Sequence, residues 1–584
     1  MVSLPLEAVP PVDERIAALE AALVAATAER DKLAEEREKL AEERDKLASE
    51  RAQLRAAYER VLEELELLRR RLFVAKAERV DTKQIELEFM LKKAELDQLA
   101  GAIPGQADRK EDESSNGDGT KRRKSSKKPS GRRSAESLDH LPETRVVVPC
   151  DLPDGATVIG EETSTKLGWQ RGGPIKLVIV RTKYKVETDA GPLLETTPKP
   201  PELLERSLAA PSLLAHIAVD KFADGLPLYR QEERFERLGL TLDRGTMSRW
   251  LEDLGATCGA TVVESMRKDA LEHAFCIATD ASGLAVQPIP TADKKRQACR
   301  KGHIFVFVAD KDHVFFEYTP KETSRAVSRM FHGFSGYVQA DAKSVFDVLF
   351  TPPDERPPPE DGEVKDPGER REVGCWSHAR RKFWEAAIAK NAVAREALFR
   401  IARFFDKDAS WRGEAPATIK ARRDQHLRPE MEAFFAWATT EYDKVRDQRG
   451  SLRSAFGYAL RQKDALMRVC DDGRLHLDNN RSERALRTLA VGRKNWLFVG
   501  SDDHANSAAN LLSLIASARL HKLDPETYLR DLIRVLPHWP KDRHLELAPK
   551  HWAHTRSRLD GAQLDAELGP LHVPEPPQQQ PSPD

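Results

Sequence analysis

Two apolar runs that each end on a solitary acid constrain the fold of this chain most. FCIATDASG carries Asp280 and GYVQADAKS carries Asp341. With HIFVFVADKDHVFFEYTP between them, these β-branched and aromatic runs predict a mixed sheet with an adjacent strand pair over residues 273–350. A third segment, LDNNRSERALR, sets Glu483 at the start of an arginine-dense helical stretch. Carboxylates delivered by two strand ends and a helix suit two hard divalent cations. Such a metal pair can clamp the attacking and leaving oxygens of a phosphodiester. Arg481, Arg484, Arg487, Arg493 and Lys494 would then steer a DNA backbone. An ordinary reading stands beside this one. Asp favours turns, Asp478 can cap the helix, and Glu483 can pair with Arg487 one turn on.

Upstream, residues 13–72 hold neither proline nor glycine and contain KLAEERE, KLAEERD and KLASERA. Leu33, Leu40, Leu47, Leu54, Val61 and Leu68 recur every seventh residue, the period of a left-handed coiled coil. The companion core positions hold Arg37, Arg44, Arg51 and Tyr58. The seam is therefore a weak or selective zipper, or the segment is a single solvated helix. On the first reading, residues 1–100 join copies of the chain into a homo-oligomer. Residues 101–143 read as a disordered linker whose basic run TKRRKSSKKPSGRR includes Lys121, Arg122, Arg123 and Lys124. Such a run is a solvated tail or a non-specific phosphate contact.

Residues 144–193 are rich in valine and isoleucine and predict a small sheet. Residues 194–260 turn helical. Gly239 breaks the helix ending in FERL, and Asp243 or Thr241 caps the next, which carries Arg244, Thr246, Ser248, Arg249 and Trp250. That spacing matches a helix-turn-helix whose second helix enters a major groove, although helix pairs with a glycine turn are common. Residues 261–500 hold the three acids, with a proline-rich loop at 351–372 and a helical pattern over about 373–475. Residues 501–550 read as packed helices and 551–584 as a tail, proline- and glutamine-rich and disordered from Gly569.

Hydrophobic residues make up 40% of the chain and charged residues 32%, with a mean hydropathy of -0.57, which allows sizeable cores joined by long solvated segments. The net charge of -1 does not exclude a nucleic-acid partner, because local basic patches decide that binding. Six cysteines without a CxxC pair argue against a disulfide framework and a cysteine-rich zinc module. No apolar run reaches the ~18–20 residues of a membrane span, and no signal peptide is visible. A soluble, intracellular protein is expected.

The ordered motifs resemble the insertion-sequence-66 family of DDE transposases. The matching segments are LRRRLFVAKAERV, LLAHIAVDKFADGLPLYRQEERFERLGLTLDRGTMSRWL, GYVQADA, CWSHARRKF and LDNNRSERALRTLAVGRKNWLFVGSD, spread over roughly residues 65–540. The resemblance implies a multidomain α/β chain with a retroviral-integrase-like catalytic core, related to ribonuclease H, over residues 261–500, in which the helical stretch at about 373–475 is an insertion. It makes Asp280, Asp341 and Glu483 the catalytic, metal-binding acids for two Mg²⁺ ions, with Mn²⁺ able to substitute. Water attacks the phosphodiester at an element end, and the freed 3′-hydroxyl then attacks target DNA. The implied partners are double-stranded DNA and companion proteins of the element, in the nucleoid region of a bacterial cytoplasm. A catalytically inactive DNA-binding accessory protein and a general nuclease of the same fold are the alternatives. Three departures stand out. The family's cysteine-rich module is replaced by residues 144–193, which keep only Cys150. Asp280 sits in TDASG rather than a DET-like setting, and Lys343 stands where an aromatic residue often follows the second acid. Cys375 and His378 form a CxxH pair seen in inserted domains of other DDE transposases, but two ligands do not make a zinc site. Arg380, Arg381 and Lys382 follow it as expected phosphate contacts.

Overall fold

The computed structural model describes residues 138–576, except 171, 189–190, 206, 289–297, 357–363 and 389–390, together with Val24, Thr27, Glu29 and Lys32. The heptad seam and the basic residues 121–124 lie outside the described residues. The valine-rich segment folds into strands β1 (Glu143–Val147), β2 (Thr157–Gln170), β3 (Gly173–Thr188) and β4 (Gly191–Thr196). β2 and β3 form a long antiparallel hairpin, and β1 and β4 share the other edge of β3. One end of this sheet, through Leu167, joins the main hydrophobic core.

That core is built first from helices α1 (Pro211–Phe222), α2 (Leu228–Arg237), α3 (Arg244–Leu254) and α4 (Ala260–His273). The turn between α2 and α3 uses Gly239 at φ +77°, a left-handed backbone that favours glycine. Asp243 then caps α3 by accepting a hydrogen bond from Thr246 N at 3.1 Å. α3 passes through a π turn, Gly255–Gly259, directly into α4.

The second sheet has strands β5 (Cys276–Val286), β6 (Arg300–Ala309), β7 (His313–Thr319), β8 (Gly336–Gln339) and β9 (Arg370–Val373), in the order β7-β6-β5-β8-β9. β5, β6 and β7 are antiparallel, while β8 and β9 run parallel to β5. Helix α5 (Ser324–Met330) lies on the crossover that a parallel return to β8 requires. Residues 304–309 of β6 are buried without alternation, the pattern of a strand covered on both faces. β9 corrects the sequence reading, which ran the charged loop to residue 372. Of its two arginines, Arg371 is exposed but Arg370 is buried. The Arg370 guanidinium turns inward onto Asp366 and the Phe331 carbonyl, leaving the backbone free to pair with β8.

Beyond β9 come α6 (Trp376–Ile388), α7 (Ala392–Ser410), α8 (Arg428–Val445) and α9 (Ser451–Arg461). They close over a separate core of Trp376, Phe383, Phe404, Phe434, Phe435 and Phe456 that reaches the sheet through Cys276 and Val373. The chain then returns as α10 (Asn480–Trp496), α11 (Asp502–Leu520) and α12 (Pro525–Val535). α11 seals the free edge of β7. The Ser517 hydroxyl accepts from Val314 N at 2.8 Å, and the Ser513 hydroxyl accepts from Phe316 N at 2.7 Å. Four helical residues rise about 6 Å and two strand residues about 6.8 Å, so serines at i and i+4 meet alternate strand amides. An edge that would otherwise invite another strand is thereby closed.

The tail also departs from expectation. Arg534 donates to the carbonyls of Ala566 (2.9 Å), Gly569 (2.9 Å) and Pro570 (3.2 Å), and Arg543 donates to Pro574 O at 3.0 Å. Proline carries an acceptor but no N–H, so arginine donors suit this segment, and His572 N donating to Gln563 Oε1 at 2.9 Å with buried Leu568 and Leu571 completes the attachment. No helix among the described residues is long and apolar enough to cross a membrane.

Candidate active site

The register of the parallel pair β5·β8 sets Ala278 opposite Gln339. Asp280 and Asp341 each lie two residues further on, so the two carboxylates emerge side by side. Between them stands one ammonium: Lys343 Nζ is 3.9 Å from Asp280 Oδ1 and 3.5 Å from Asp341 Oδ2. The two acids retain only 17% and 15% of their side-chain exposure, and Lys343 keeps 43%. Asp280 Oδ1 also accepts Ala281 N at 2.7 Å. Asp341 Oδ1 is buried without a hydrogen-bond partner, a costly arrangement for a charged oxygen.

Glu483 enters from the first turn of α10, and hydrogen bonds between distant segments fix where that turn lies. Asn479 Nδ2 donates to Thr279 O at 2.8 Å, and Asn479 N donates to Cys375 Sγ at 3.2 Å. Gln339 Nε2 donates to His476 O at 2.7 Å, and Trp376 N to Leu477 O at 2.9 Å. Thr279, Gln339 and Asn479 are essentially inaccessible to solvent. Two of the stitches thus start from residues that stand one or two positions before an acid. Asp478 does not cap α10, whose N-cap is Asn479 without a side-chain cap; it accepts instead from the backbone and side chain of Asn480, two residues on. The near partner of Glu483 is His378, whose Nε2 lies 3.6 Å from Glu483 Oε1. His378 Nδ1 is buried and unpartnered. Sequence reasoning noticed His378 only as half of a CxxH pair. The structure instead puts it beside the third acid. Among the described residues, no three His, Cys, Asp or Glu side chains crowd closely enough to hold one ion. Asp280 and Asp341 share Lys343, and Glu483 stands with His378.

Burial raises the Asp280 carboxyl above the usual aspartate range and neighbouring Asp341 adds to this, against the Ala281 amide, Lys343 and His378. The folded state therefore binds more protons than the unfolded state between the ordinary and the raised value, and stability falls as pH rises through that window. Asp280→Asn removes this penalty. It should melt higher than wild type at pH 7.5 in chelator by roughly 1–3 °C, the response to a change on the order of 0.5–1 kcal/mol. At pH 4 the gap should close. A gap of equal size at both pH values in scanning fluorimetry would contradict the argument. Cys375 is no nucleophile in this setting, since burial pushes its thiol up to about 11.

The expected DNA contacts divide. Arg244 and Arg249 are exposed on α3, but Trp250, read with them, faces the core because it falls on the apolar stripe with Met247, Leu251 and Leu254. Arg380 and Arg381 are exposed and Lys382 half-buried on α6, immediately after His378. Arg484, Arg487 and Lys494 are exposed on α10. Arg493 turns inward, donating to Ser282 Oγ at 2.7 Å and Gly283 O at 2.6 Å, and so pins α10 to β5. Arg481 likewise reaches Asp310 O at 3.1 Å.

Comparison with known sequences adds a family context. The profile of the Transposase IS66 family matches residues 206–507, and that of the IS66 C-terminal element matches residues 513–549. Residues 27–60 match the profile FAZ1, C-terminal. Three relatives come from Sinorhizobium fredii (strain NBRC 101917 / NGR234). Uncharacterized protein y4qI is 27% identical over 428 residues, covering 70% of this chain and 76% of the relative. Uncharacterized protein y4hP is 28% identical over 443 residues, covering 71% and 76%. Uncharacterized protein y4jD is 27% identical over 435 residues, covering 71% and 81%.

Proposed function

The chain belongs to the Transposase IS66 family, and we propose that it is the catalytic DNA transposase of its element, cutting and joining ends with a ribonuclease-H-like core. The observation that carries this reading is the pair Asp280 and Asp341, side by side on parallel strands with one cationic group between them. Two adjacent, poorly solvated carboxylates, one with an orphaned oxygen, fit a divalent cation of the Mg²⁺ type. In this reading Asp280 and Asp341 hold the first ion, and Glu483 completes the second site from α10. When bound, such ions polarise the phosphodiester and lower the pKa of water. The chain's own residues do the rest. The buried amides of Gln339 and Asn479 keep the acid-bearing segments in place, and Arg380, Arg381, Lys382, Arg484, Arg487 and Lys494 hold the DNA backbone along α6 and α10. Arg244 and Arg249 contact DNA from the helix-turn-helix-like pair α2 and α3. The heptad seam joins protomers.

A second reading, a non-catalytic DNA-binding accessory protein, draws on Lys343, which already neutralises part of the acidic pair. Supercoiled plasmid carrying the element's ends separates the readings. A transposase nicks it at the ends with Mg²⁺ or Mn²⁺ and not in chelator. A pure binder shifts the DNA without nicking, and a general nuclease cuts without preference for the ends. Either of the last two results would replace the proposal.

A further inference from the structure

We propose that Lys343 is a tethered counter-ion that occupies the cation position between Asp280 and Asp341 until a divalent ion displaces it, so that this side chain sets the metal affinity of the site. The inference rests on reading the pair as metal-binding. Its ammonium approaches one oxygen of each carboxylate, at 3.9 and 3.5 Å, as a single shared cation would. Charge makes the arrangement provisional. Two carboxylates and one ammonium leave one negative charge unbalanced, whereas one divalent ion balances both. An ammonium and a divalent ion beside the same oxygens would repel each other, so entry of the ion requires the lysine to leave. Nothing buried holds it back. Lys343 keeps 43% of its side-chain exposure, and its flexible four-carbon stem can carry the ammonium into solvent. Asp341, by contrast, still has Oδ1 buried and unpartnered, so the lysine satisfies only part of the pair's demand for positive charge.

The test measures Mg²⁺ and Ca²⁺ binding to the full-length protein without DNA, by calorimetry and by the ion-induced rise in melting temperature. Lys343→Met should bind both ions at least about tenfold more tightly than wild type, the effect of 1.4 kcal/mol. It should also melt lower in chelator, where its two carboxylates face each other uncompensated. Lys343→Arg, which keeps the charge, should stay close to wild type in chelator. Adding Asp341→Asn to Lys343→Met should erase the gain. If wild type binds the ions and Lys343→Met binds them no more tightly, the counter-ion role is overturned while the metal site stands. If neither protein binds them, the metal-site reading itself falls, and the inference with it.

Discussion

Asp341→Ala and Glu483→Ala should each lower Mg²⁺-dependent cleavage at element ends by about three orders of magnitude or more while leaving DNA affinity within roughly twofold. The size follows from what the carboxylates supply. Removing one preorganised electrostatic group from a reacting centre commonly costs 10²–10³-fold, and on the proposed two-ion reading the loss of an ion would also remove the water it activates. Unchanged affinity is expected because the exposed arginines and lysines of α3, α6 and α10 are residues other than these two acids, and both substitutions leave them in place. The two substitutions should differ in a second property. Asp341 lies 15% exposed beside another acid, so its removal relieves repulsion and the variant should melt no lower than wild type. Glu483 faces His378, so its loss deprives that ring of a carboxylate partner and should cost a little stability. End-cleavage assays, filter binding and thermal melts on the same preparations check all three statements. Wild-type cleavage by either variant would remove the assignment.

What the sequence disclosed and what it hid follow from the range of the forces involved. Hydrophobic and β-branched patterning is local, so the runs around Asp280 and Asp341 were readable as strands, and the glycine turn with its Asp243 cap was readable between α2 and α3. The contacts that bring Glu483 to β5 are not local. Asn479 and Thr279 are 200 residues apart, and Gln339 and His476 are 137 apart. An uncharged amide beside an acid carries no sign of such a partner, except that it interrupts an otherwise apolar buried run. Arg493 and Arg370 misled for a related reason. Arginine composition reads as solvated charge or DNA contact, yet a guanidinium that finds backbone carbonyls or a buried carboxylate becomes a clamp. β9 was hidden because its four residues RREV take their register from β8 and not from any pattern of their own.

The same logic identifies the residue on which the helical insertion depends, and with it the placement of His378. Trp376 is fully buried at the start of α6, with its ring 4.9 Å from Phe404, 5.6 Å from Phe434 and 5.7 Å from Phe435. Its indole N–H donates to Leu466 O at 3.0 Å, and its backbone N–H donates to Leu477 O. Trp376→Ala should therefore cost about 3–5 kcal/mol from the cavity, with roughly another 1–3 kcal/mol for the stranded Leu466 carbonyl. Trp376→Phe fills most of the space and should lose mainly the hydrogen bond. Because this aromatic cluster is separate from the core under β5, β6 and β7, the loss should be regional. Hydrogen exchange should accelerate across residues 376–470 in Trp376→Ala, with β6 and β7 keeping their protection. Cys375 and His378 flank Trp376, and Cys375 Sγ receives Asn479 N at the entrance to α10. Loosening the first turn of α6 should thus slow end cleavage, although no acid has been touched. Uniform loss of protection through both cores would show instead that the two fold as one cooperative unit.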